Sequence, residues 1–85
     1  MEGNYIARWQ TSCNAVAFLI CVGEKLFVKE KFYDGFRGIS GELLFLNIEI
    51  PENLKAEISL RGSWNEPMSD ELKKFVDDIK QALAE

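Results

Sequence analysis

The sequence predicts an α+β fold: an antiparallel β-meander of about five strands with one C-terminal α-helix packed on one face, in the order β-β-β-β-β-α. Three observations carry this prediction. Short apolar segments with strand-type alternation recur from Asn4 to Gly62. Turn-forming residues separate them at Thr11-Ser12-Cys13-Asn14, Gly23-Glu24, Asp34–Gly41 and Pro51. From Ser69 the apolar spacing then changes to that of a helix. The expected organisation is one domain over residues 1–85, with the sheet in 4–62 and the helix in 69–84.

Tyr5 to Gln10 (YIARWQ) has the composition of a first strand, with Tyr5 and Trp9 on one parity. Ala15 to Val22 (AVAFLICV) is apolar on both parities, as a central strand is. Gly23-Glu24 turns the chain into Lys25–Tyr33, where Leu26, Val28 and Phe32 share one face while Phe27, Lys29 and Lys31 share the other. The segment Asp34-Gly-Phe-Arg-Gly-Ile-Ser-Gly41 reads as a wide hairpin connection whose glycines take positive φ. Leu44, Leu46, Ile48 and Ile50 alternate as a fourth strand, and Pro51 stops it. Leu54, Ala56, Ile58 and Leu60 alternate with Lys55, Glu57, Ser59 and Arg61, which predicts a half-buried fifth strand. In the last segment Ser69 is placed to cap a helix, with Asp70 and Glu71 in its first turn. Leu72, Phe75, Val76, Ile79 and Leu83 form its apolar stripe. Lys73 with Asp77 and Lys74 with Asp78 are spaced as i,i+4 ion pairs.

One helix covers one face of such a sheet. The second strand must therefore leave either Ala15, Ala17, Leu19 and Cys21 or Val16, Phe18, Ile20 and Val22 on the other side, joined there by Phe27 and Phe45. Curling of the sheet, pairing of two copies, or a bound protein would each satisfy that second apolar face.

Composition narrows the chemistry. The chain has 85 residues, 14 acidic and 10 basic side chains, no histidine and a net charge of −4. Without histidine, Ser-His and Cys-His dyads and HExxH zinc sites are excluded. The glycine spacing 35, 38, 41 matches neither GxGxxG nor GxxxxGK[ST], and a strand is expected to follow it where a phosphate site needs a helix N-terminus. Asp34 and Glu42 flank that loop and read as solubilising groups. No DxDxDG calcium loop occurs. Cys13 and Cys21 have no CxxC partner, and eight residues of strand would set them about 26 Å apart, too far for a disulfide. No catalytic group and no metal or cofactor site is expected.

The longest apolar run, eight residues from Ala15, falls short of the roughly 20 that a membrane-spanning helix needs. Two reduced cysteines and no readable signal or anchor lead to the expectation of a cytoplasmic protein that does not enter a membrane.

The function expected is that of a small non-enzymatic protein-binding module of the inhibitor, immunity or anti-defence type, which acts by occupying a partner's surface. Phe36, Arg37 and Ile39 in the glycine-rich loop, with Trp64, Asn65 and Glu66 before the helix, are its candidate contacts, since aromatic and arginine side chains dominate binding hot spots. Trp64 has a plainer role as a lid on the core, its indole N–H bonded to a carbonyl. The alternative function is a homodimeric sheet binding single-stranded nucleic acid through Lys25, Phe27, Lys29, Lys31 and Tyr33, a cationic and aromatic set suited to stacking bases. In plainer terms those lysines protect an exposed strand edge from aggregation.

Overall fold

The most apolar segment of the chain becomes the second strand of a four-stranded antiparallel sheet. A computed structural model describes residues 3–11, 15–34 and 37–84, with side chains throughout except at 33, 34, 37–40 and 42. The strands are β1 (Asn4–Gln10), β2 (Ala15–Val22), β3 (Lys25–Asp34) and β4 (Arg37–Leu46), arranged in sequence order. Two helices follow, α1 (Glu52–Leu60) and α2 (Asp70–Ala84).

The expected α+β class and antiparallel meander are present, with four strands rather than five and two helices rather than one. The sheet ends at Leu46 rather than near residue 62. The fifth strand is α1. Its buried side chains are Leu54 and Ile58, four residues apart, while Leu60 stands 82% exposed. Positions i and i+4 share a face in a strand and in a helix alike, so alternation over so short a run fits both. Pro51 stops no strand, because β4 has ended at Leu46 and Ile48 and Ile50 lie in the connection; it is the N-cap of α1, with φ −56° and ψ 140°, and its carbonyl accepts from the Leu54 amide at 2.9 Å.

The glycine-rich segment is also more regular than expected. Asp34 pairs with Arg37, so β4 begins seven residues before the expected start at Leu44, and Gly38 pairs with Tyr33. Beyond that the register slips by one residue, leaving Gly41 and Glu42 opposite Glu30. A Cβ on Gly41 would lie 3.1 Å from the Phe32 ring and 3.3 Å from the Glu30 carbonyl oxygen, so this glycine permits a close approach. Among the described residues the glycine with positive φ is Gly23 (64°), in the β2–β3 turn.

Both helices pack on the face that carries Ile6, Ala7, Ala17, Leu19, Cys21, Leu26, Val28 and Leu46. Burial of Leu54, Ile58, Leu72, Val76 and Ile79 against it contributes about 2 kcal/mol for each side chain. Phe75 and Leu83 extend the stripe, as the sequence predicts. Ser69 caps α2: its hydroxyl accepts from the Leu72 amide at 3.2 Å. On the solvent side of α2 the ion pair formed is Lys80–Asp77 at 3.8 Å, in place of the two expected i,i+4 pairs.

Candidate functional site

The register of the sheet decides what its second face presents. β1 carries an extra residue: Tyr5 pairs with Ile20 and Ala7 with Leu19, so Ile6 is bulged. The bulge breaks the expected shared parity of Tyr5 and Trp9. Trp9 packs against the core, and Tyr5 turns to the other side, where its ring meets Phe18 edge-on at 5.4 Å. Val16, Phe18, Ile20 and Val22 of β2 lie on that side, opposite Lys31, Lys29, Phe27 and Lys25 of β3. Phe27 pairs in turn with Phe45 of β4, their rings 5.5 Å apart, and Lys29 pairs with Leu43.

Among the described residues no helix lies over this face. Tyr5 is 38% and Phe45 51% exposed, while twist leaves Phe18 and Phe27 half-buried. Gly3, Tyr5, Ile20, Val22, Lys29 and Leu43 surround a depression of about 160 Å³ in this face. A side chain at position 3 would strike Val22 and Ile20 at 2.8–2.9 Å and fill part of it. The sheet does not close on itself, so this face stays open among the described residues.

Charge is distributed unevenly over the molecule. The open face carries Arg8, Lys25, Lys29 and Lys31, and none of its described side chains is acidic, in a chain of net charge −4. The lysines of β3 cannot serve as edge protection, because β3 lies between β2 and β4. Lys29 and Lys31 are half-buried, with their stems along the apolar surface.

The residues expected to contact a partner are placed as follows. Phe36 lies outside the described residues. Arg37 and Ile39 begin β4, at one edge of the sheet, and their side chains are likewise not described. Trp64 lies at the opposite edge, half-buried against β1, with the Arg8 guanidinium 4.9 Å from the centre of its ring. Two strands separate these groups, so they do not form one patch. Trp64 instead continues the open face around the β1 edge, where it borders a hollow of about 260 Å³ with Arg8, Gln10 and Val16. Asn65 and Glu66 are engaged within their own loop: Ser63 donates to the Asn65 side chain at 2.6 Å, and the Gly62 amide donates to the Glu66 carboxylate. Of the alternative set, Lys25, Phe27, Lys29 and Lys31 do share the open face. Tyr33 pairs with Gly38 through its backbone, and its side chain is not described.

Sequence reasoning missed the contributions of Tyr5, Arg8 and Leu43 and left that of Phe18 open. β2 made either parity equally eligible for the core, and the β1 bulge hid the parity of Tyr5.

A second concavity, about 960 Å³ and open to solvent, lies where α1 meets the β2–β3 turn, bordered by Asn4, Cys21, Glu24, Ile50 and Lys55. Lys55 bridges Glu52 at 3.0 Å and Glu24 at 3.8 Å, and its pKa is raised, chiefly by the hydrogen bond to Glu52. The Cys21 thiol donates to the Gly23 carbonyl at 3.2 Å, and burial pushes its pKa up, followed by the charge of Glu24. Such a thiol is a poor nucleophile. Among the described residues no cluster of metal-ligating side chains occurs. Among them, too, no helix is long and apolar enough to cross a membrane. A scan against protein-family models gives no match, and searches of curated proteins and of solved structures give none either.

Proposed function

We propose that the protein is a non-enzymatic binding module that occupies a partner protein through the open face of its sheet, in the manner of an inhibitor or immunity protein. One observation supports this above the rest: the face is apolar at its centre, bears cations and lacks cover. Phe18, Phe27 and Phe45 would supply the buried contacts, while Arg8, Lys29 and Lys31 would pair with carboxylates and steer the encounter. The buried free thiol of Cys21 suits a reducing compartment, and we assign the protein to the cytoplasm.

Affinity capture from lysate with three baits tests this reading. Wild type and Leu60→Ala, a change on the exposed side of α1, should retain a common protein, and Phe18→Glu should lose it. Equal retention by all three would overturn the assignment of the open face. A second reading, single-stranded nucleic acid, is favoured by four cations set among four aromatic rings on one sheet face. It requires a labelled single-stranded oligonucleotide to bind in a salt-dependent manner, and Lys29→Glu with Lys31→Glu to abolish that binding.

A further inference from the structure

The two edges of the sheet are finished very differently. β1 is short, seven residues, and bulged between Tyr5 and Ala7. Its Asn4 side chain donates to the α1 carbonyls of Ile58 at 3.2 Å and Ser59 at 3.4 Å, and Trp64 lies beside its other end. Covering loops and tethers of this kind prevent a strand edge from pairing with another chain. Among the described residues β4 has neither, and its own bulge, at Gly41 and Glu42, lies ahead of the segment Leu43–Leu46. It runs for ten residues, and among the described residues β3 is its sole pairing partner. It contains no lysine and no proline, and its last four residues are Leu43, Leu44, Phe45 and Leu46. Leu44 is 54% and Phe45 51% exposed, on opposite faces of the sheet. The lysines that would guard this edge sit one strand inward, on β3.

We propose that the chain forms a two-fold symmetric dimer by antiparallel pairing of β4 with β4 of a second copy, giving a continuous eight-stranded sheet. An antiparallel strand pair is compatible with a two-fold axis, so the same edge serves both copies. Assembly stops at two because the guarded β1 strands form the new outer edges. Leu44 gains cover on the helix side, and Phe45 gains it on the open side. The alternative symmetric dimer, open face against open face, would bring Arg8, Lys25, Lys29 and Lys31 of both copies together with no described carboxylate between them, which desolvation and like-charge repulsion disfavour. The pairing covers Phe45 at the rim of the open face, leaves Tyr5, Phe18, Phe27 and the cations free, and is independent of the function proposed above.

Sedimentation velocity and light scattering across a hundredfold concentration range test the dimer. The wild-type chain should approach twice 9.7 kDa. Leu44→Lys changes an exposed edge residue outside the open face and should weaken the dimer about thirtyfold, since symmetry applies the change twice. Phe18→Glu, on the open face, should leave it intact. Should Leu44→Lys fail to fold, amide exchange of wild-type Leu43–Leu46 provides the second measurement, with protection expected to rise with concentration. A wild-type monomer throughout the range would overturn the proposal. So would a dimer that Phe18→Glu dissolves and Leu44→Lys does not, or one that forms only with an extended peptide from another protein on β4.

Discussion

Arg61 shows how much one side chain fixes in a chain of this size. The alternating pattern of residues 54–61 makes it a solvent-facing strand residue, yet it is buried. Its guanidinium donates to the carbonyls of Glu66 (2.8 Å), Trp64 (3.1 Å) and Pro67 (3.1 Å). A planar fork with several N–H groups can gather three carbonyls from one loop, which an ammonium on a flexible stem cannot do. The connection from 61 to 69 is therefore wound around this residue, and Trp64 is held against Arg8 as a result. Arg61→Ala should cost about 2–3 kcal/mol, because three charge-assisted hydrogen bonds are lost and the carbonyls of Trp64, Glu66 and Pro67 lose their common donor. Arg61→Lys should recover only part of that loss. Urea unfolding measures the cost, and a red shift in tryptophan emission would report release of Trp64. An unchanged midpoint for Arg61→Ala would mean that the loop holds its shape by other contacts. None of this was legible beforehand, because a buried arginine is recognised by the carbonyls it meets, and those depend on the path of the loop.

At the scale of elements, Glu57 connects the two helices. Its carboxylate accepts from the Ser69 amide at 2.8 Å and from the Ser69 hydroxyl at 2.5 Å, while the same hydroxyl oxygen accepts from Leu72. The cap of α2 is thus oriented by α1. These bonds hold the Glu57 pKa below the ordinary glutamate value, the Ser69 hydroxyl contributing most, then its amide; desolvation opposes them and Arg61 adds a smaller lowering. A carboxyl with a lowered pKa in the folded state stabilises above its unfolded pKa, and that stability is lost as pH falls through the folded value. Ser69→Ala should cost about 1 kcal/mol near neutrality, as a lost N-cap does. The cost should shrink below the ordinary carboxyl range, where Glu57 is protonated. Glu57→Gln should flatten that part of the pH dependence, as read from midpoints of thermal unfolding at neutral and acid pH. A Ser69→Ala penalty equal at both pH values would show that the cap acts without Glu57. The cap itself was legible, since Ser69 ahead of Asp70 and Glu71 is a local signal. Its partner was not: recognising α1 as a helix required weighing Pro51 with Glu52 and the helix-forming residues of ENLKAEISL against an alternation that a short helix produces equally well.

On the scale of the whole molecule, the helices and the open face differ in charge as well as in cover. The presence of a second apolar face was legible, because β2 is apolar on both parities and a layer of helices covers only one. Its membership was not, since a single bulged residue in β1 reassigns Tyr5 and Trp9 to opposite sides. An open face that combines aromatic rings with half-buried lysines should bind an apolar anion in the native state, the sulfonate pairing with Lys29 or Lys31 and the fused rings lying on Phe18 and Phe27. Anilinonaphthalene sulfonate supplies that chemistry. Its emission should rise and shift to the blue with protein that retains its near-ultraviolet circular dichroism, which separates the effect from dye uptake by a molten globule. Lys29→Gln should weaken the response and added salt should reduce it, because the charged part of the attraction is screened within about 10 Å at 0.1 M. Phe45→Asp should weaken it further. Pairing through β4 leaves the response intact at every protein concentration, whereas association through the open face would extinguish it as the dimer fills. A folded chain that leaves the dye dark even when dilute would mean that the sheet has closed over its own rings.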